Sequence, residues 1–459
     1  MLISILYVAI ASCLYLYWLY LSKNHKKTLT LQPPSLPKKL PLIGHAHLFA
    51  VDSERGWKFV EWVCMETLKR GGILSVSFGP KTAYTDPDDV LTVSNALQSW
   101  KKHRKMLSSV FSQKLLDEFI GVFNYQGRRL VAQWVDKRGP FIPSKDISLN
   151  SLESICQNAI GIRMENDRII NDEYEEALED IFTVLSERFK KLWLHSDFIY
   201  ELTSLKKREE HNIQILQKMT ATVRIERLIK NKLISKSFLD VIIELAKNND
   251  EYTDEDLREE VDNFIFSGHD TISAVLTYCV MTLGSYPEVQ EKVYQEILHV
   301  MGENDRDVEK DDYNKLKYTE AMIKETLRMY PIVPVIARQV TTDVKLKNYT
   351  LKAGTSCYLL LYGLQRHPLW GSDVNEFKPE RWLRSDTLPK NPNLFVGFSL
   401  GRRICVGRNY AMMSMKTTLV HLIRHYKISS DINNMVLKLD AVLKPVRGHE
   451  ISLEKRMVK

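Results

Sequence analysis

A chain containing YTDEDLREEVDNFIFSGHDTISAVLTYCVMTLGSYPE, residues 252–288, has to be built around one very long helix. Thr253 and Asp256 have the spacing of a capping box, acids crowd the first turn, and Ser285, Pro287 and Glu288 mark a stop and a new start. The enclosed helix has about 30 residues and is roughly 45 Å long, so it crosses the molecule. Its apolar middle is interrupted by Ser267-Gly268-His269-Asp270-Thr271. Glycine in a helix costs about 1 kcal/mol against alanine, and a buried carboxylate is expensive. Such violations concentrate at functional sites; the competing reading puts Asp270 on a solvated polar face.

The rest of the chain fits one large mixed domain behind an anchor. Of 459 residues 44% are hydrophobic, enough for a sizeable core. Leu2 to Leu21 carries no charge, and Lys23, Lys26 and Lys27 follow it. About 20 apolar residues span a bilayer, and the flanking lysines place the body in the cytosol. Tyr15, Tyr17, Trp18 and Tyr20 crowd the basic end, where such rings favour the headgroup region. The prolines of LQPPSLPKKLPLIGHAHLF then favour a stiff, extended hinge. The division read from this is 1–22 anchor, 23–44 basic, proline-rich hinge and 45–459 folded body. GGILSVSFGPKTAYTDP predicts a hairpin from Ile73 to Thr85, and Val333 to Tyr362 predicts a second extended region. The intervening pattern is helical, giving a mainly α fold with small β-sheets.

Composition excludes several function classes. The six cysteines are scattered without CxxC pairs, against a disulfide framework or zinc cluster and for a reducing compartment. A net charge of +7 without a basic, aromatic-interleaved stripe argues against nucleic-acid binding. Three further segments carry chemistry. Glu325 and Arg328 lie at i, i+3 on a helix predicted from Lys317 to Met329, a pairing common on helix surfaces. FKPERWL adds Arg381 beside another acid. FSLGRRICVG, residues 398–407, sets a lone Cys405 among glycines and arginines, where a buried structural cysteine would not require them.

Taken in order, Gly268 to Thr271, Glu325 with Arg328, Pro379 to Trp382, and FxxGxRxCxG at Phe398, Gly401, Arg403, Cys405 and Gly407 resemble the motifs of the cytochrome P450 family of haem-thiolate monooxygenases. LPLIGHAHLF, DNFIFSGHDT and ARQV resemble its fourth family, typified by fatty-acid ω-hydroxylases and their insect relatives. The resemblance covers nearly the whole chain and implies the P450 fold with haem b. Cys405 is then the axial iron ligand, a soft thiolate that pushes electron density onto iron. Phe398 covers the thiolate side, and Gly401 and Gly407 let the backbone approach the macrocycle. Arg403, with Trp100, Arg104 and Arg338, meets the haem propionates. The GHDT stretch widens the long helix, Thr271 holds water and Asp270 helps supply protons. Glu325, Arg328 and Arg381 form a structural lock.

The resemblance further implies an endoplasmic reticulum enzyme facing the cytosol. It takes electrons from NADPH-cytochrome P450 reductase, with cytochrome b5 as a second donor, and oxidises an apolar substrate with O2. Fatty acids, xenobiotics and hormones with long apolar chains are all used by relatives. Two departures stand out. Ser267 occupies a position where much of the fourth family has a glutamate that esterifies haem, so noncovalent haem is expected. Val90 to Gln98 stands where the family has a longer segment roofing the substrate pocket, which reads either as a more open pocket or as a missing exon. The second reading implies a haem-binding but catalytically impaired protein; a membrane adaptor without haem is the remaining class.

Overall fold

The structure, a computed structural model, describes residues 33–40, 44–48, 52–70, 72–78, 81–86, 111–161, 171–230, 237–247, 252–346 and 348–456, with scattered positions from 104 to 110 and at Ser12 and Tyr15. The expected anchor (apart from Ser12 and Tyr15), Trp100 and the Val90–Gln98 segment lie outside the described residues.

Ten helices of at least ten residues occur among the described residues: α1 (Ser53–Lys69), α2 (Ile120–Trp134), α3 (Ser144–Ile160), α4 (Asp172–Lys190), α5 (Ser204–Lys230), α6 (Phe238–Lys247), α7 (Asp254–Ser285), α8 (Pro287–Met301), α9 (Lys317–Met329) and α10 (Arg408–His425). The capping box read at the start of α7 is present in both directions: Thr253 Oγ1 accepts from Asp256 N, and Asp256 Oδ2 accepts from Thr253 N. Pro287 opens α8 at its first turn, where a missing N–H is tolerated.

The strands are β1 (Leu74–Phe78), β2 (Lys81–Asp86), β3 (Ile336–Gln339), β4 (Val344–Lys345), β5 (Thr350–Leu351), β6 (Ser356–Leu359), β7 (Tyr426–Ser430), β8 (Val436–Leu439), β9 (Leu443–Arg447) and β10 (Ile451–Lys455). The largest sheet has the order β1-β2-β6-β3, with β2 and β6 parallel and the outer pairs antiparallel. The predicted hairpin is β1–β2, with Val76 opposite Ala83 and Phe78 opposite Lys81. The second extended region supplies β3 to β6. Hairpin β8–β9 stands apart as its own two-stranded sheet.

The core is organised by α7. It packs most extensively on α3, and Tyr278, Cys279, Val280, Met281 and Leu283 are fully buried. Each such side chain contributes on the order of 1.5–3 kcal/mol of transfer free energy. α7 is also long and apolar enough to span a membrane, yet 78% of its apolar window is buried in the protein, which makes it a core helix. At Gly268 an added methyl would collide with Ile155 of α3, so glycine allows the two helices to approach. The proline-rich stretch is tied down where it is described. Leu36 N donates to Ser75 O, Ser75 N donates to Pro34 O, and Leu36 is buried. Its packed part therefore belongs to the body.

Candidate active site

A cavity of about 380 Å³ lies between α7 and the loop that precedes α10. One wall is Gly268, Thr271, Ile272 and Val275 of α7; the opposite wall is Gly397, Phe398, Cys405, Val406 and Gly407. Phe111, Phe264, Ile336 and Leu361 complete a mostly apolar lining, into which Arg338 and Arg403 also reach.

The cysteine loop is shaped by its backbone. Gly401 has φ +68° and Ser399 φ +60°, and the turn is closed by Cys405 N donating to Phe398 O at 2.9 Å. Gly407 is the N-cap of α10, so the positive end of that helix begins beside the sulfur. Cys405 is exposed on the cavity wall. Burial pushes its thiol up, whereas the Gly407 N–H and the charges of Arg104 and Arg408 pull it down. Such an environment favours a thiolate once a cation binds it. A methyl at Gly407 would stop at ordinary contact with Phe111 and the Cys405 sulfur, so protein packing alone does not demand glycine there. Phe398 lines the cavity beneath the Arg408 guanidinium, 5.8 Å from its ring centroid.

Arg338 lies on β3. Its Nη1 donates to the Ala337 carbonyl, while its buried Nε has no partner among the described residues. Burial and the neighbouring Arg403 charge both hold its pKa below the usual guanidinium range. Two guanidiniums held together at one cavity wall fit a ligand bearing anionic groups.

On the facing wall α7 is continuous α-helix through GHDT. The Thr271 hydroxyl donates to Ser267 O at 2.8 Å, and Ser267 in turn donates to Asn263 O, which keeps both side chains along the helix. Thr271 lines the cavity; Asp270 does not. The Asp270 carboxylate is buried against hairpin β8–β9, where Oδ1 is paired with Lys444 and Oδ2 is enclosed without a partner among the described residues. Burial raises its pKa, opposed chiefly by Lys444. His269, next to it, bonds Ser148 Oγ at 2.8 Å and is held neutral by burial, its pKa pushed down to about 3.

Beneath the cavity, α9 turns Leu327 towards it and Glu325 and Arg328 away. Glu325, fully buried, accepts from Arg328 Nε and Nη2, Arg381 Nε, Lys378 N and Trp382 Nε1, all at 2.8–3.0 Å. Arg328 also donates to the carbonyls of Gln365, Val374 and Glu376, and Arg381 reaches Asp373. Two carboxylates and two guanidiniums thus balance. Sequence reasoning missed Trp382 as a donor, Asp373, and Lys444. PERW contained the first; Lys444 had no local signal, standing 174 positions from Asp270.

The sequence matches the family profile Cytochrome P450 over residues 65–452. The chain belongs to the cytochrome P450 family. Similar relatives include Cytochrome P450 4V2 of Homo sapiens, 30% identical over 92% of this chain and 90% of that protein, and its Mus musculus counterpart, 32% identical over 78% and 72%. Cytochrome P450 4d1 of Drosophila melanogaster is 30% identical over 85% and 86%. The human alignment runs to 475 residues with 92% of this chain in it, so this P450 lacks several dozen residues that its relative carries. The protein is a cytochrome P450 monooxygenase of the fourth-family type, and its cofactor is haem b held through a cysteine thiolate. The residues present fit that group: a thiol on the cavity wall at a helix N-terminus, a glycine that packing among the described residues does not require, and a buried arginine donor lacking a partner among them.

Proposed function

We propose that this P450 hydroxylates an apolar, fatty-acid-like lipid or xenobiotic, using NADPH-derived electrons delivered by a flavoprotein reductase, with cytochrome b5 as a second donor. The observation carrying this reading is one apolar cavity with Cys405 on one wall and Thr271 on the other. Its mostly apolar lining is that of a small-molecule site. The 1–22 segment anchors the catalytic body at the endoplasmic reticulum membrane, on the cytosolic face.

Bound haem supplies oxygen activation. Cys405 would hold its iron, with the Gly407 N–H stabilising the sulfur and Phe398 packed beside it; Gly401 shapes the loop. Arg403, Arg338 and Arg104, with Trp100, would hold its propionates. Thr271 keeps water ordered at the cavity wall, and Asp270 supplies protons to it. Glu325, Arg328 and Arg381 are a scaffold that fixes the loop from below. Ser267, lacking a carboxylate, leaves the haem noncovalent, which mass spectrometry of the denatured protein checks.

Cys405→Ala is expected to abolish the red-shifted Soret band of the reduced carbon monoxide complex. Thr271→Ala is expected to keep that band while diverting NADPH consumption from product. Full coupling in Thr271→Ala would remove its assigned role. Screening for hydroxylated fatty acids tests the substrate class.

A further inference from the structure

Asp270 is held from outside the cavity by a residue far away in sequence. It is 3% exposed, and its only ion-pair partner among the described residues is Lys444 of β9. Lys444 is itself 29% exposed, with its ammonium 5.5 Å from the Phe182 ring centroid. Adjacent positions on a helix point about 100° apart. Thr271 accordingly faces the cavity while the Asp270 carboxylate faces the hairpin. The other charges acting on Asp270 are Lys438 and Asp440, also of this hairpin. His269 beside it is engaged with Ser148 of α3.

We propose that Lys444 is a positioning residue for Asp270: it holds the buried carboxylate from the hairpin side and sets how readily that acid gives up a proton. The proposal rests on the proton-supplying role assigned to Asp270 above. Among the described residues the single pairing leaves Oδ2 unengaged, which is the atom free to take up and release a proton. Without Lys444, burial and the negative charge of Asp440 both act to keep the carboxyl protonated. A carboxyl held too firmly protonated is a poor donor near neutral pH.

The test uses the full haem-loaded chain. The infrared C=O absorption of protonated Asp270, assigned by its loss in Asp270→Asn, is titrated with pH in the wild type, Lys444→Met and Lys444→Arg. In Lys444→Met the band is expected to persist to higher pH by about one to three pH units, and Lys444→Arg is expected to restore wild-type behaviour. Lys444→Gln serves if the methionine variant does not fold. Alongside, hydrogen peroxide released per NADPH consumed is measured with reductase and dodecanoic acid as the probe. It is expected to rise on the order of tenfold in Asp270→Asn and in Lys444→Met, and no further in the double variant. An unmoved infrared band, or additive leaks in the double variant, overturns the role of Lys444 while leaving that of Asp270 standing. An Asp270→Asn enzyme that does not leak overturns the proton-supply reading, and the proposal with it.

Discussion

Glu325 and Asp270 are both carboxylates buried within a few per cent of complete exclusion from solvent, and the protein treats them in opposite ways. Glu325 receives five donors from four residues spread over two segments, every one at good length. Among the described residues Asp270 has one cationic partner and one oxygen enclosed with nothing to accept from. A fully satisfied buried charge network fixes a single geometry, whereas a half-satisfied carboxyl stays able to change protonation state. The first arrangement suits scaffolding and the second suits proton chemistry, and from local sequence alone Asp270 stood out as an acid in an unusual place while Glu325 read as half of an ordinary helix pair.

The contrast is sharpest in stability. Glu325→Ala leaves two buried guanidiniums without their shared acceptor and is expected to destabilise the fold by about 3–5 kcal/mol, read as a fall in the denaturation midpoint or as loss of soluble protein. A variant of near wild-type stability would break the comparison at its stronger end. Trp382→Phe removes one donor to the same carboxylate and keeps the ring that packs on Phe395, so a loss of about 1.5–3 kcal/mol is expected by denaturant titration.

Asp270→Asn is expected to have a smaller effect of the opposite sign. Because burial raises the folded-state pKa of Asp270 above its unfolded value, its ionisation opposes folding at neutral pH and the opposition fades as pH falls through the folded pKa. Thermal midpoints should therefore favour Asp270→Asn near pH 7.5, with the advantage shrinking on acidification. Asp440 behaves the other way, since Ser53 and Lys438 bring its pKa to about 2 and its contribution is lost only as the pH falls below about 4. An advantage for Asp270→Asn that grew on acidification would contradict the assignment. The smallest effect is expected at the exposed Arg447–Glu54 pair, where Arg447→Ala should change stability by about 0.5 kcal/mol or less.

Local signals were read well from sequence because their physics is local. The Thr253–Asp256 box, the Lys317–Met329 helix and the β1–β2 hairpin depend on neighbours within a few residues, and the structure has each of them. The resemblance placed Cys405, Thr271, Arg338 and Arg403, which the fold brings to one cavity. What sequence could not supply was the direction of Asp270, since adjacent helical positions diverge and its partner comes from a distant hairpin. Nor did it foresee where the hydroxyls of Ser267 and Thr271 go within α7. There the Thr271 hydroxyl returns to the Ser267 carbonyl, an exchange invisible in a motif.

The strand bordering the site has a further consequence. A second apolar cavity of about 380 Å³ lies behind it, lined by Phe59, Val60, Leu185, Phe189 and Leu439 among others. Residues 333–338 form a partition: Val333, Ile336 and Arg338 face the first cavity, while Pro334, Val335 and Ala337 face the second. A partition one strand thick has no interior of its own, so any bulk added on one side presses on the room behind it. The two chambers therefore share a single inheritance of volume, and a lineage that remodels one has to renegotiate the other.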